Sequence, residues 1–323
     1  MSVRPDATGL VPTRTDKTLV AYGRRARQLL GQAKKELGGE IGVVELVYWF
    51  SDQDGRWKEN TVHTYRAALR TFVTDQVVEG LLTQSAADAL GDVLERKLRY
   101  KKGGPARTSA KKATSYRVED FARLVNALGR SQADDDRLAA QILSFNVLLF
   151  LRRGEWFGLE IVGNKLVIQS EKTSNGRGIG KERERNLKDW PRGDIQELKH
   201  LLGVLKLKAP TREVFEQLMT RLSARIAYAC ENLGVPRLCI YATRHVGMAS
   251  AKRVMTPEQV AACAGHKTAR TSTSRYARRR TGWKLIGEKI PPPTASTFAR
   301  VQPTSRWARD DHMAARPTSG PRP

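Results

Sequence analysis

Tyr276 closes the run Gly265-His266-Lys267-Thr268-Ala269-Arg270-Thr271-Ser272-Thr273-Ser274-Arg275-Tyr276, and three consecutive arginines, Arg278 to Arg280, follow it. Upstream stands Tyr241-Ala242-Thr243-Arg244-His245, and far earlier Leu151-Arg152-Arg153-Gly154-Glu155. One tyrosine preceded by widely spaced Arg, Arg and His points to a single chemistry: attack of a phenol oxygen on a phosphodiester. Such an ester carries one negative charge, and more gathers on its non-bridging oxygens as the five-coordinate transition state forms. Planar guanidinium groups bind two such oxygens in a bidentate fork.

The composition fits that substrate. The chain has 323 residues, long enough for two domains with real cores. Lys and Arg number 57 against 33 Asp and Glu, a net charge of +24. An excess of this size calls for a polyanionic partner, with nucleic acid the leading candidate. A membrane surface would require an apolar anchor or a strongly amphipathic basic helix, and neither is present. The most apolar stretch, residues 138–151, contains Gln141, Ser144 and Asn146 and is too short to span a bilayer. The first 18 residues lack the apolar core of a signal peptide. Cys230, Cys239 and Cys263 are an odd number in apolar surroundings and read as reduced, buried thiols. These features place the protein in the cytoplasm, associated with the nucleoid. No Cys/His cluster has zinc spacing and no Gly-rich phosphate loop appears, so no metal and no cofactor are expected.

The elements that must position these residues are legible in the pattern. Residues 1–16 read as a flexible arm and 17–98 as a helical domain. Within it Val62, Tyr65, Leu69 and Phe72 share one helix face, with Arg66 and Arg70 elsewhere on that helix. Residues 99–114 form a basic linker with Gly-Gly-Pro and no acid, carrying Arg99, Lys101, Lys102, Arg107, Lys111 and Lys112. It reads either as a solvated hinge or as a strap along the DNA backbone. Residues 115–289 read as a second domain, with two helices up to about residue 151 and then strand, Gly163-Asn164 turn, strand, a second glycine turn and a third strand. Thr256-Pro257-Glu258-Gln259 is a helix start. The Pro/Arg-rich tail, 290–323, is expected to be disordered. The fold class is therefore mainly α with a small antiparallel β-sheet.

Arg152-x-x-Glu155, a lysine in a β-hairpin, Tyr241-x-x-Arg244, Gly265-His266 and Tyr276, in this order, resemble the signature of the tyrosine recombinases, the phage-integrase family. The resemblance covers residues 115–280 and, more weakly, the helical domain before them. It implies a helical core-binding domain joined to a mixed α/β catalytic domain, closing on DNA as a clamp. It implies that Tyr276 is the nucleophile and forms a 3′-phosphotyrosyl bond, with Arg152 and Arg244 on the phosphate and His266 hydrogen-bonded to it. Lys172 takes the place of the general acid, with Lys181 beyond the glycine turn as the alternative. Glu155 supports the site from behind. One position departs from the pattern. Tyr241 stands where the family usually has histidine, and a phenol can donate to a phosphate oxygen but does not titrate near neutrality.

The resemblance further implies a homotetramer that exchanges strands through a Holliday junction, with a possible DNA-bending accessory protein. Integration and excision of a mobile element is the expected use. Two other readings stay open: a non-catalytic relative acting as accessory factor or repressor, and a topoisomerase-like nicking and closing enzyme.

Overall fold

The computed structural model describes residues 16–101, 115–171, 178–276 and 278–303, without the side chains of Lys17, Ser274 and Arg275. The fold is mainly α with one three-stranded antiparallel sheet, the class that the sequence patterns predict. The chain divides between residues 105 and 106 into two compact units.

The first unit is built from helices α1 (Asp16–Leu37), α2 (Val43–Ser51), α3 (Glu59–Val78) and α4 (Gln84–Glu95). Its core gathers Leu29, Leu46, Phe50, Leu69 and Leu94. On α3, Val62 and Leu69 are buried, and Tyr65 and Phe72 pack against the same core, because residues three and four apart share a face. The first three residues of the expected linker belong to this unit. Arg99 N donates to Asp54 Oδ1 (2.8 Å), Gly55 N to Arg99 O (3.0 Å) and Lys101 N to Trp57 O (2.9 Å). Residues 102–114 and 1–15 lie outside the described residues.

The second unit packs α5 (Val118–Gly129), α6 (Asp134–Leu149), α7 (Arg192–Lys208), α8 (Arg212–Asn232), α9 (Ile240–Ala251), α10 (Pro257–Ala264), α11 (Ala269–Arg275) and α12 (Ala295–Phe298) with strands β1 (Glu160–Val162), β2 (Lys165–Gln169) and β3 (Glu182–Asn186). Helix α6 is central, buried from Leu138 to Leu149 on almost every side. It ends because Phe150 turns left-handed (φ 36°, ψ 47°), a conformation a bulky residue holds only when its surroundings impose it. Helix α10 starts as its sequence predicts. Thr256 Oγ1 accepts from Gln259 N (3.2 Å) and Gln259 Oε1 from Thr256 N (2.9 Å), with Pro257 in the first turn.

In the sheet, β2 pairs with β1 through Val162 and Lys165 and with β3 from Lys165–Asn186 to Gln169–Glu182. The tail expected to be disordered from residue 290 is instead ordered through its first part. Ile290 is buried, Asn186 N donates to Pro292 O (2.8 Å), Glu184 N to Thr297 Oγ1 (2.9 Å), and Arg300 Nη1 to Glu182 O (2.8 Å). Residues 290–303 thus cover the outer edge of β3 and satisfy backbone groups that an edge strand would leave open. Composition misses this because each of these bonds engages a main-chain group of β3, which every sequence carries. Residues 304–323 lie outside the described residues.

Candidate active site

The site grows from the reversal at the end of α6. Asn146 is fully buried and uses its amide in both directions. Its Nδ2 donates to Thr243 Oγ1 (2.8 Å) and Ile240 O (3.0 Å), and its Oδ1 accepts from Leu151 N (3.0 Å) and Trp156 Nε1 (3.1 Å). One side chain therefore ties the end of α6 to the start of α9. Gly247 lets the two helices close, since a Cβ there would lie 2.4 Å from Val147 O. Arg152 leaves this reversal at the head of a single 3-10 turn, Arg153–Trp156. Glu155, in that turn, accepts from Arg152 N (2.7 Å) and Arg152 Nη1 (2.6 Å).

Helix α9 presents Arg244, fully buried, to the same place. Its Nη1 donates to Phe150 O (2.5 Å), its Nη2 to Ala264 O (2.9 Å), and its Nε to Tyr276 Oη (3.1 Å). Nη2 also lies 3.2 Å from His266 Nε2. A guanidinium only donates, so Nε2 accepts and the imidazole proton sits on Nδ1. That Nδ1 is buried and has no hydrogen-bond partner among the described residues. Left-handed Gly265 (φ 73°) ends α10 and turns His266 inward. Tyr276 stands directly after α11. Its ring packs on His266 (centroids 5.4 Å) and His245 (5.0 Å), and its hydroxyl accepts from Tyr241 Oη (3.3 Å). His245, the residue after Arg244 on α9, is thus a wall for Tyr276.

Two arginines that pattern did not single out complete the cluster. Arg183 and Arg185 on β3 are fully buried. Arg183 donates to both carboxylate oxygens of Glu155 (3.1 and 2.8 Å) and to Cys263 O (2.9 Å). Arg185 donates to Leu148 O (3.2 Å), Leu149 O (2.5 Å) and Cys263 O (3.1 Å), with its guanidinium 4.1 Å from the Phe150 ring centroid. It thereby holds the left-handed turn. The signal lay in register: Arg183 and Arg185 pair across with Ile168 and Leu166, both buried, so period-two alternation turns the arginines inward.

The electrostatics result from this crowding. Three guanidiniums, those of Arg152, Arg183 and Arg244, meet one carboxylate, Glu155, and a fourth, that of Arg185, lies beside them on Cys263 O. Burial alone would raise the Glu155 carboxyl. The charges of Arg183, Arg152 and Arg244 reverse that and hold it far below the ordinary carboxylate range. Burial, then the charges of Arg244, Arg152 and Arg183, lower His266 to about 2, so its ring is neutral. Burial would raise the Tyr276 phenol. The Arg244 charge, the hydrogen bonds from Tyr241 and Arg244, and the Arg152 charge outweigh it, and the phenol lies below its ordinary value. Tyr241 is pushed up to about 12 by burial and by its contact with Tyr276. The cluster is preformed and carries positive charge in excess.

Arg152, Glu155, Tyr241, Arg244, His266 and Tyr276 therefore lie together. Lys172 falls outside the described residues, as do Lys102, Arg107, Lys111 and Lys112. Among the expected DNA-contacting residues, Arg66 donates to Arg96 O (2.7 Å) and Arg70 pairs with Glu95, so both tie α3 to the C-terminal end of α4. Arg99 and Lys101 are exposed. Of the cysteines, Cys230 and Cys263 are buried and Cys239 is half-buried, all free. Among the described residues no helix is long and apolar enough to cross a membrane.

No protein-family model matches the sequence, and no curated protein matches it. The structure is similar to that of a lambda integrase dimer bound to a COC' core site, with TM-score 0.51 and 12% identity over 84% of this chain and 74% of that one. The fold is that of a tyrosine recombinase. At this identity the likeness concerns the fold alone. A second lambda integrase dimer on a COC' core site aligns with TM-score 0.46 (14% identity, 82% of this chain, 92% of that one). The XerH site-specific recombinase bound to difH substrate aligns with TM-score 0.37 (13% identity, 88% and 96%). Within the tyrosine-recombinase fold of this chain, the guanidinium cluster sits where α6, α9, α10 and β3 converge.

Proposed function

We propose that the chain is a site-specific DNA recombinase that cleaves and rejoins strands through a 3′-phosphotyrosyl intermediate. One contact carries the reading: the Tyr276 hydroxyl lies 3.1 Å from Arg244 Nε, inside a cluster of buried guanidiniums with one carboxylate between them. A lone core tyrosine has no reason to meet that much positive charge. A nucleophile that attacks a phosphodiester does.

Tyr276 Oη attacks phosphorus in line with the 5′ oxygen, which leaves and takes a proton from Lys172. Arg152 and Arg244 neutralise charge as it builds on the non-bridging oxygens, in a site already organised. His266, whose ring packs on Tyr276 and meets Arg244, hydrogen-bonds the scissile phosphate. Glu155 and Arg183 aim Arg152 without touching DNA. The phosphotyrosyl bond keeps its energy for rejoining, so a 5′ hydroxyl reverses the step. Duplex DNA is the partner, in keeping with the net charge of +24. Four protomers on two sites exchange strands pairwise through a Holliday junction, with a bending protein assisting, to integrate and excise a mobile element. The first unit is the core-binding domain.

The test is a nicked suicide duplex carrying the end of the protein's own element. Wild type is expected to form a covalent adduct. Tyr276→Phe is expected to form none while binding DNA equally well. An adduct with Tyr276→Phe would show that another group attacks. Binding without an adduct in wild type would favour the accessory or repressor role. Relaxation of supercoils at unpaired sites without exchange products would favour a nicking and closing enzyme.

A further inference from the structure

We propose that Tyr241 acts on the nucleophile itself: its hydroxyl donates to the Tyr276 oxygen and, with the Nε–H of Arg244, prepares that oxygen for attack. The proposal rests on Tyr276 being the nucleophile. Sequence alone gives a phenol at position 241 a role toward the phosphate. The geometry points it elsewhere, since the two phenol oxygens are 3.3 Å apart with ring centroids at 6.5 Å.

The helix dictates this placement. Tyr241 and Arg244 are three residues apart in the first turns of α9 and so share a face. Their donors converge on one oxygen. An oxygen that accepts two hydrogen bonds, one from a cation, is stabilised as the anion more than as the neutral phenol. The contact from Tyr241 is long, and it shortens as charge grows on the acceptor. The two phenols titrate as a pair, and the pair is asymmetric. Tyr276 touches Arg244 and lies low, whereas Tyr241 is raised to about 12 and keeps its proton. A phenol in this place is thus a neutral donor that stays protonated throughout the range in which Tyr276 ionises. An imidazole, with its ordinary pKa of about 6.5, changes charge near neutrality instead.

The other groups facing Tyr276 are His245 on α9, His266 after α10 and the Arg152 guanidinium from the turn after α6. Both histidines are lowered, His245 by burial and then by Arg244 and Lys252, so neither titrates in the alkaline range. The ionisation that matters above neutrality is that of Tyr276. Its proton leaves to bulk water. The Oη–P bond then forms as the P–O5′ bond breaks, and the 5′ oxygen takes its proton from the general acid.

Tyr241→Phe removes the donor and keeps a ring that is half exposed, 47% by area, so the fold should hold. With tyrosines carrying 13C at Cζ, eight signals report eight phenols, and the one missing in Tyr276→Phe belongs to Tyr276. Tyr241→Phe is expected to raise its titration midpoint by about one pH unit, which means roughly tenfold less phenolate at a given pH below the midpoint. The cleavage rate on the nicked duplex should show its rising limb displaced by the same amount, about tenfold slower at neutrality and converging with wild type at high pH. An unmoved Tyr276 midpoint, or a rate lowered equally at every pH, overturns the proposal and leaves Tyr241 to the phosphate or the fold. An adduct that persists in Tyr276→Phe overturns the nucleophile first and this proposal with it.

Discussion

Replacing Glu155 by glutamine should unsettle the second unit well beyond what one isosteric change suggests. The carboxylate accepts four hydrogen bonds, from Arg152 N, Arg152 Nη1, Arg183 Nη1 and Arg183 Nη2, and Arg244 Nη1 stands 3.8 Å away. An amide keeps one acceptor oxygen and turns an N–H toward guanidinium N–H groups. It also leaves four buried or nearly buried guanidiniums with no anion among them. Removing one partner of a buried ion pair costs about 3–5 kcal/mol, and the surviving hydrogen bonds place this case near 3 kcal/mol. For a unit of this size each kcal/mol moves the midpoint by about 2–4 °C, so a fall of roughly 6–12 °C is expected in calorimetry of the full chain.

The effect has a pH signature. The folded-state pKa of Glu155 is depressed, so its contribution is fully present above the unfolded value of about 4.3 and fades as pH falls toward the folded one. The gap between wild type and Glu155→Gln should therefore be constant near neutrality and narrow below about pH 4. A phosphate or vanadate ion should recover part of the lost midpoint by supplying the missing anion. A midpoint within about 2 °C of wild type at pH 7 would refute the reasoning, because the carboxylate would then not be the group that holds the guanidiniums together.

Two further outcomes are expected. On a substrate whose 5′-bridging oxygen is replaced by sulfur, the leaving group needs no proton, so Lys172→Ala should be severely slow on ordinary DNA and largely rescued there, and Arg152→Ala should not be rescued; rescue of Lys181→Ala instead would assign the general acid to Lys181. Neutralising Lys101, Lys102, Lys111 and Lys112 together should make log affinity less steep in log salt by roughly 0.9 per lost phosphate contact, up to about four contacts, and weaken specific and random DNA alike; a slope equal to wild type would leave the segment a solvated hinge.

Much of the molecule could be read from the chain by itself, because local rules fix it. Helical spacing placed Val62, Tyr65, Leu69 and Phe72 on one face of α3, and Thr256 with Gln259 marked the start of α10. The residues able to do phosphoryl chemistry were visible as types and spacings, since a phenol and planar guanidiniums are recognisable wherever they stand. The links that join them were not visible. The sequence of β3, Glu-Arg-Glu-Arg-Asn, has no apolar residue to mark a buried face, yet Arg183 and Arg185 face inward because their partners across β2 are Ile168 and Leu166. Asn146 reads as a flaw in an apolar helix, yet it ties α6 to α9. The tail from 290 to 303 reads as disordered, yet it closes the edge of β3 through bonds to that strand's main chain. Each of these depends on a pairing between residues far apart in the chain. Periodicity reports which face a side chain shares with its neighbours, whereas only the tertiary structure decides what that face meets: for β3 it meets a buried carboxylate and three orphan carbonyls, and there an arginine is a better core residue than a leucine.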